Sequence, residues 1–170
     1  MVVMSRAHRH FLSKRESKEL VSMIEEKFKL KAPLDHRSKW EVAQLSKDEY
    51  VYIVDGKPII INISGKLIPS LKALSDGLIE LAKITVDMGA VKHIINGADV
   101  MAPGIVKVQG DFAKEDLIMV VDEKHEKPLC VGMALVSSSE LATMSRGKVV
   151  KNLHHVGDKI WSKLRDLGLM

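Results

Sequence analysis

The chain has 170 residues, of which 46% are hydrophobic and 28% charged, and its formal net charge is +4. That length suffices for one ordinary domain or two small ones, and the composition predicts a packed core, not a disordered chain. No apolar run approaches the roughly 20 residues of a membrane-spanning helix, and the N-terminus lacks the apolar segment of a secretory signal. We therefore expect a cytoplasmic protein without a membrane partner.

The positive charge is concentrated at the N-terminal end. Residues 1–40 hold ten Lys and Arg against five Asp and Glu, so the rest of the chain is close to neutral. A basic arm of this kind favours a polyanionic partner, because Lys and Arg displace counterions from phosphates, but it is equally compatible with a role in solubility. Cys130 is the single cysteine of the sequence, which excludes an internal disulfide and a cysteine metal cluster.

A helix is predicted first, within residues 13–30. Leu20, Ile24 and Phe28 recur at helical spacing with charged residues on the opposite face. The segment Lys31-Ala32-Pro33 should end this helix, because the residue before a proline disfavours the helical conformation.

Strands follow the predicted helix and complete a small α+β unit that ends near residue 80. Residues 40–46 (WEVAQLS) and 50–54 (YVYIV) read as strands, and Asp55-Gly56 predicts a hairpin turn into a strand at 58–63. Residues 68–74 predict a short helix with Pro69 in its first turn.

The second half of the chain predicts short strands interrupted by brief helices. After a strand at 81–86, Asp87 stands where a helix N-cap belongs and Gly97 where a left-handed residue ends that helix. Further strand-like runs lie at 105–108, 117–121, 129–136 and 149–154, with a Ser137-capped helix before the last run and a terminal helix opening at 156–161. Such spacing predicts a small mixed β-barrel, not a βαβ sheet.

Three blocks in this half carry a family resemblance: VDMGAVKHIINGADVMAPGI (86–105), KPLCVGMALVSS (127–138) and GKVVKNLHHVGDKIW (147–161). Their order and spacing resemble the PUA domain, which is named after pseudouridine synthases and archaeosine transglycosylases. The upstream stretch DGKPIIINISGKLIPSLKAL (55–74) resembles, more narrowly, the malignant-T-cell-amplified-protein family of translation factors, in an archaeal-type form. The resemblance implies an α+β protein with a small N-terminal α/β domain (1–80) and a C-terminal PUA-type pseudo-β-barrel with short helices (81–170).

The resemblance also implies a function. PUA domains contact RNA duplex ends and adjacent 3′ tails. Relatives with this two-domain layout act with tRNA at the small ribosomal subunit, in initiation, reinitiation or recycling, and can work with a density-regulated protein. We therefore expect RNA, either tRNA or rRNA, as the partner, and no cofactor.

The stretch GADVMAPGI is the centre of the predicted RNA site. Its small residues let another backbone lie close, and its amides can bind phosphate without reading sequence. Basic residues before it and on the last strand can face phosphates or 2′-hydroxyls. The candidate RNA contacts are Lys92, His93, Gly97, Ala98, Met101, Ala102, Pro103, Gly104, Lys148, Lys151, Asn152 and His155. The alternative for each is ordinary turn chemistry, core packing or a solvated strand face.

Catalytic and metal-binding patterns are missing from the sequence. His154 and His155 are adjacent, so on a strand they point to opposite faces and do not readily share an ion. The serines at 137–139 lack a nucleophile elbow and are better explained as helix caps, and Asp87 has a sufficient role as an N-cap. We therefore expect a non-catalytic protein. Two alternatives stay open: an RNA-targeting accessory subunit of an RNA-modification complex, and a protein-interaction module that uses the strands near 50–53 and 59–63.

Overall fold

The computed structural model of the protein describes residues 9–170, which divide into two compact units. The first unit comprises residues 9–80 together with 163–170, and the second comprises Leu81–Ser162. The last eight residues thus group with the first unit, where Lys163 Nζ lies 3.9 Å from Glu49 Oε1. The division into domains 1–80 and 81–170 stays a prediction, and residues 1–8 of the basic arm lie outside the described residues.

The first unit is built on an antiparallel sheet. Its elements are β1 (Arg9–Phe11), α1 (Lys14–Lys27), β2 (Lys29–Leu30), β3 (Trp40–Ser46), β4 (Glu49–Val54), β5 (Lys57–Ile63), β6 (Lys66–Pro69), α2 (Leu71–Ser75) and β7 (Ile79–Glu80). Five strands form the sheet in the order β1-β3-β4-β5-β6, and β2 pairs with β7. At the β4–β5 hairpin Asp55 and Gly56 both have positive φ, as the predicted tight turn requires.

Helix α1 forms where its periodicity predicts it, but it is shorter at its C-terminal end. A capping box begins it, because Ser13 Oγ accepts from Glu16 N at 3.1 Å and Glu16 Oε1 accepts from Ser13 N at 3.0 Å. The helix ends at Lys27, ahead of an extended Phe28, and not near Pro33. The physical reason is long-range: the next residues form β2 and pair with β7.

The predicted helix at 68–74 with Pro69 in its first turn is wrong in its starting point. Pro69 ends β6, an edge strand, where a missing N–H costs little. The helix α2 begins only at Leu71, because Ser70 is the N-cap and its Oγ accepts from Ala73 N at 2.9 Å.

The second unit contains a six-stranded sheet with short helices. Its elements are β8 (Ala82–Val86), α3 (Met88–Ile94), β9 (Val100–Met101), a 3-10 turn (Ala102–Gly104), β10 (Ile105–Gln109), β11 (Leu117–Asp122), β12 (Pro128–Ala134), α4 (Ser138–Leu141) and β13 (Lys148–His155), followed by the terminal helix α5 (Lys159–Asp166). The strand order is β10-β8-β11-β12-β13-β9; β8 and β11 run parallel and the other pairs antiparallel. Within residues 9–170, no helix combines the length and apolarity that crossing a bilayer demands.

The sheet of the second unit is curled because its two edge strands are nearly consecutive in the chain. Six strands laid flat would separate β9 from β10 by five spacings, about 24 Å. Only four residues lead from Met101 to Ile105, and these can span at most about 14 Å. Hydrogen bonds also tie the 3-10 turn to the strands next to the two edges: Ala102 N donates to Gly147 O just before β13, and Asp87 N just after β8 donates to Gly104 O, each at 2.9 Å. The predicted α+β class and the small mixed pseudo-barrel with short helices are confirmed.

Gly132 lies where the curled sheet is tightest. It sits beside a register shift between β12 and β13. A Cβ added there would lie 2.2 Å from Val150 Cγ1 and 2.6 Å from the Lys151 carbonyl oxygen. Only a residue without a side chain allows this approach of two strands.

Replacing Gly132 with alanine is expected to lower the free energy of unfolding by about 3 kcal/mol, because the methyl group must displace backbone of β13. Urea denaturation followed by circular dichroism measures it. The matched variant Gly89→Ala adds a methyl whose nearest neighbour is a carboxylate oxygen of Asp87 at 3.3 Å, and its effect should be much smaller. Equal stability of the two variants would contradict this explanation of the curl.

Candidate functional site

A shallow cleft of about 390 Å³ lies between α3 and the residues that follow it. We call residues 97–104 the closing segment, because they lead into the turn that joins the two sheet edges, and the cleft beside them the α3 cleft. Of the predicted RNA contacts, the ones that line the α3 cleft are His93, Ala98, Met101, Pro103 and Gly104. These five predicted contacts, which come from α3 and from the closing segment, thus share one surface.

Local capping interactions position α3 as the sequence predicts. Asp87 Oδ1 accepts from Ala90 N at 2.9 Å and begins the helix. Gly97 has a φ of +95° and its N–H donates to Ile94 O, while Ala98 N donates to His93 O. These bonds end the helix with the left-handed residue that the pattern requires.

Asn152 anchors the start of the closing segment to β13. Its Nδ2 donates to the carbonyl oxygens of Ile94 and Ala98, each at 3.0 Å, and its own N–H donates to Asp99 Oδ1 at 2.9 Å. The carboxamide donors are thus used within the protein. As an RNA contact Asn152 stays a prediction, and the bonds observed describe a residue that holds the site in place.

Asp99 is the residue of the site that sequence reasoning missed. Its Oδ1 accepts from Asn152 N, and its Oδ2 lies 3.4 Å from Lys148 Nζ. The pattern Gly-Ala-Asp ahead of a strand indicates only a turn, since both partners lie about 50 residues away. Asp99 therefore joins the closing segment to β13 by both carboxylate oxygens.

The predicted lysines are exposed around this region. Lys148 pairs with Met101 in the β13–β9 register, and Met101 is 45% exposed, not core. Lys92 is exposed in the last turn of α3, next to His93. Lys151 is exposed on β13, where its register partner is Met133 of β12, and the structure records no contact between Lys151 and the α3 cleft.

The two adjacent histidines separate as the strand geometry predicts. His154 is fully buried, and its Nδ1 lies 2.7 Å from Asp158 Oδ2. His155 is half-buried, and its Nδ1 is 2.9 Å from the Val156 carbonyl oxygen, which assigns the proton to Nδ1. Its Nε2 faces Gly97, since a Cβ there would lie 3.5 Å away. His155 therefore belongs to the same surface as the closing segment.

Asp158 organises the chain after β13. Burial by itself would raise the pKa of this carboxyl. The hydrogen bond and charge interaction with His154, together with the N–H groups of Trp161 and His155, outweigh burial, so the pKa of Asp158 lies below its ordinary value.

Neither a reactive thiol nor a cluster of metal ligands occurs among the described residues. Burial next to the negative charge of Asp99 raises the pKa of the Cys130 thiol to about 12, which leaves that thiol protonated and unreactive. Among residues 9–170 no three His, Cys, Asp or Glu side chains gather as metal ligands would.

Replacing Asp158 with asparagine is expected to lower the free energy of unfolding at neutral pH by about 2 kcal/mol, because a charged acceptor of several hydrogen bonds is lost. The folded pKa lies below the unfolded value of about 3.9, so this stabilisation is present above about pH 4 and is lost as the pH falls through the folded pKa. The difference from wild type should close in acid. Urea unfolding across this range measures it, with the exposed Asp111→Asn as control.

Replacing Asn152 with alanine is expected to lower the free energy of unfolding by about 2 kcal/mol, because the carbonyl oxygens of Ile94 and Ala98 lose their hydrogen-bond donor. Chemical denaturation measures the change. Lys151→Ala on the same strand is exposed and serves as the control, with an effect within about 0.5 kcal/mol. An Asn152→Ala protein as stable as wild type would contradict the anchoring role.

The fold and the cleft define a two-unit protein whose second unit is a PUA domain. The PUA domain model matches residues 82–156, and the model of a domain of unknown function, DUF1947, matches residues 8–76. A conserved PUA-domain protein from Thermoplasma acidophilum has a similar structure, with a TM-score of 0.76 and 33% identity, covering 91% of this chain and 97% of its own.

Relatives of known sequence extend the comparison. An uncharacterised protein of Methanocaldococcus jannaschii is 43% identical and covers 91% of this chain and 95% of its own length. Translation machinery-associated protein 20 of Schizosaccharomyces pombe is 29% identical over 68% of this chain and 66% of its own. Malignant T-cell-amplified sequence 1-B of Xenopus laevis is 28% identical over 57% and 55%. The chain belongs to the family of PUA-domain proteins that includes these archaeal and eukaryotic relatives. The resemblance to the PUA domain and to the malignant-T-cell-amplified-protein family is therefore confirmed.

Proposed function

We propose that the protein is a non-catalytic RNA-binding factor that docks a structured RNA, either a tRNA acceptor end or rRNA, on the α3 cleft. The observation that carries this proposal is the meeting of His93, Ala98, Met101, Pro103 and Gly104 in one cleft of a PUA domain, a class of RNA-binding module. The translation-associated names of the relatives support a role in translation, in the cytoplasm.

The charges around the α3 cleft favour a particular orientation of the RNA. Two carboxylates, Asp87 and Asp99, line the cleft itself, whereas Lys92 and Lys148 are exposed beside it. Carboxylates repel phosphate but accept hydrogen bonds from hydroxyl and amino groups. Ribose hydroxyls or base edges therefore enter the cleft against Met101, and the phosphates face the lysines.

Within translation we propose initiation or recycling at the small ribosomal subunit, with a partner like density-regulated protein. The support is the similarity to translation machinery-associated protein 20 over 68% of the chain and to malignant T-cell-amplified sequence 1-B over 57% of it. An RNA-targeting subunit of a modification complex has the same chemistry and would differ in preferring a stem-loop or rRNA over tRNA.

A protein-interaction role has an observation of its own, but at a different place from the predicted one. The strands near 50–53 and 59–63 offer no edge, because β4 and β5 lie inside their sheet. The edge strand β10 carries two exposed apolar side chains, since Val106 is 51% and Val108 38% exposed. Such an edge suits strand addition by a partner protein.

The deciding experiment is binding of the full chain to tRNA with and without its 3′-CCA, against a stem-loop competitor, across a salt series. Affinity at or below about 1 μM that needs the 3′ end and falls with salt supports the tRNA proposal. Preference for the stem-loop favours the modification-complex alternative. Equal, weak binding to every RNA would contradict docking at the α3 cleft.

Charge reversal in Lys92→Glu is expected to weaken tRNA binding about tenfold at 0.1 M salt and to reduce the salt slope by about one, without a change in stability. Fluorescence anisotropy at two salt concentrations and urea denaturation measure the two properties. Lys114→Glu, another exposed lysine of the second unit that does not line the α3 cleft, is the matched control. Unchanged affinity in Lys92→Glu would remove this residue from the RNA interface.

A further inference from the structure

The first unit carries a groove in which every charged lining residue is basic. It has a volume of about 980 Å³ and runs between the start of α1, the end of β1 and the chain before β3. We call it the basic groove. Its lining contains no Asp or Glu, and its cationic or titratable side chains are Lys14, Arg15, Lys18, His36, Arg37 and Lys39.

These charges are only partly balanced by neighbouring acids. Arg15 lies 3.2 Å from Glu19 and Arg37 lies 3.5 Å from Asp35, and all four side chains are largely exposed, so both pairs are weak. Lys14, Lys18 and Lys39 form no ion pair with any residue in the described range 9–170. The basic groove therefore presents a positive potential that only an anionic partner would neutralise.

Hydrogen bonds and a buried tryptophan hold the walls of the basic groove in place. Trp40 is 1% exposed and its Nε1 donates to the Asp35 carbonyl oxygen at 3.0 Å, which holds the chain before β3. Leu12 N donates to Trp40 O at 2.9 Å and ties the end of β1 to the same residue. The capping box at Ser13 fixes the start of α1. An incoming ligand thus meets a preformed surface, with little ordering cost.

Phe11 distinguishes the ligand class. Its ring lines the basic groove and is 62% exposed, the largest exposure of any large hydrophobic side chain among the described residues. An aromatic face beside a row of cations is the arrangement by which proteins bind single-stranded nucleic acid: the cations follow the phosphates and the ring stacks on a base. An acidic peptide would form ion pairs with the cations, but its carboxylates would not stack on the Phe11 ring.

We propose that the basic groove is a second RNA-binding surface, which takes a single-stranded RNA segment with its phosphates on Lys14, Lys18 and Lys39 and a base stacked on Phe11. This inference goes beyond the docking at the α3 cleft and does not depend on it, because the two surfaces belong to different units. It assigns a function to the part of the chain that matches a domain of unknown function.

The test uses the full chain and a ten-nucleotide oligouridylate, with polyglutamate of the same length as the competing polyanion. The double variant Lys14→Glu/Lys18→Glu should bind the oligonucleotide at least tenfold more weakly and lower the salt slope by about 1.4, since each phosphate of a single strand contributes about 0.7. Lys47→Glu/Lys57→Glu, two exposed lysines of the same unit outside the basic groove, should bind like wild type.

Stacking is tested separately at Phe11. Phe11→Ala should lose about five- to hundredfold in affinity for the oligonucleotide, and Phe11→Trp should retain it, because stacking needs only an aromatic face. Met23→Ala, which truncates another exposed side chain of this unit, is the control and should bind like wild type.

The outcomes separate this inference from the proposal for the α3 cleft. Oligonucleotide binding that falls in the groove variants but not in Lys92→Glu supports the second surface, whatever happens with tRNA. Binding unchanged in the groove variants overturns the inference and leaves the α3 cleft untouched. Polyglutamate that binds as tightly as the oligonucleotide, with no effect of Phe11→Ala, also overturns it and indicates an acidic protein partner.

Discussion

The short connection between the two edges of the second unit's sheet is the constraint on which the site depends. Because only the 3-10 turn Ala102–Gly104 separates β9 from β10, the sheet has to curl. The curl brings β13 against the closing segment, so that Asn152 and Lys148 reach residues some 50 positions earlier. The same turn leaves Met101 exposed, because its strand is an edge of the sheet. A topological requirement thus creates the cleft that we propose for RNA.

The two proposed surfaces differ in the charge of the residues that line them, and therefore in the RNA groups that they suit. The α3 cleft contains carboxylates and small or apolar residues, so its chemistry suits hydroxyl and amino groups, with phosphates at its margin. The basic groove contains no acid, and its chemistry suits the phosphates themselves. A protein that recognises one RNA feature in a cleft and binds a second RNA segment through its phosphates gains affinity from the second contact without a second sequence specificity.

Local interactions explain which elements the sequence predicted well. The hairpin at Asp55-Gly56, the capped start of α3 at Asp87 and the left-handed Gly97 all depend on contacts within a few residues. The errors have long-range causes. Helix α1 ends early because the following strand pairs near residue 80, and the role of Asp99 requires partners on β13. The basic groove combines Phe11, α1 and the chain before Trp40, which no window of the sequence connects.

The sequence by itself determined the α+β class, the PUA-type second half, the longer strands of both sheets and the capped ends of α3, and its candidate contacts include five of the ten residues that line the α3 cleft. These follow from periodicity, capping residues and a characteristic motif order, which are properties of short segments. Only the tertiary structure decided that Asn152 is an internal anchor, that His155 faces Gly97, and that cations near β1 form one groove. The reason is physical: side-chain partners and local charge density depend on which strands are paired, and pairing over 50 residues leaves no local pattern.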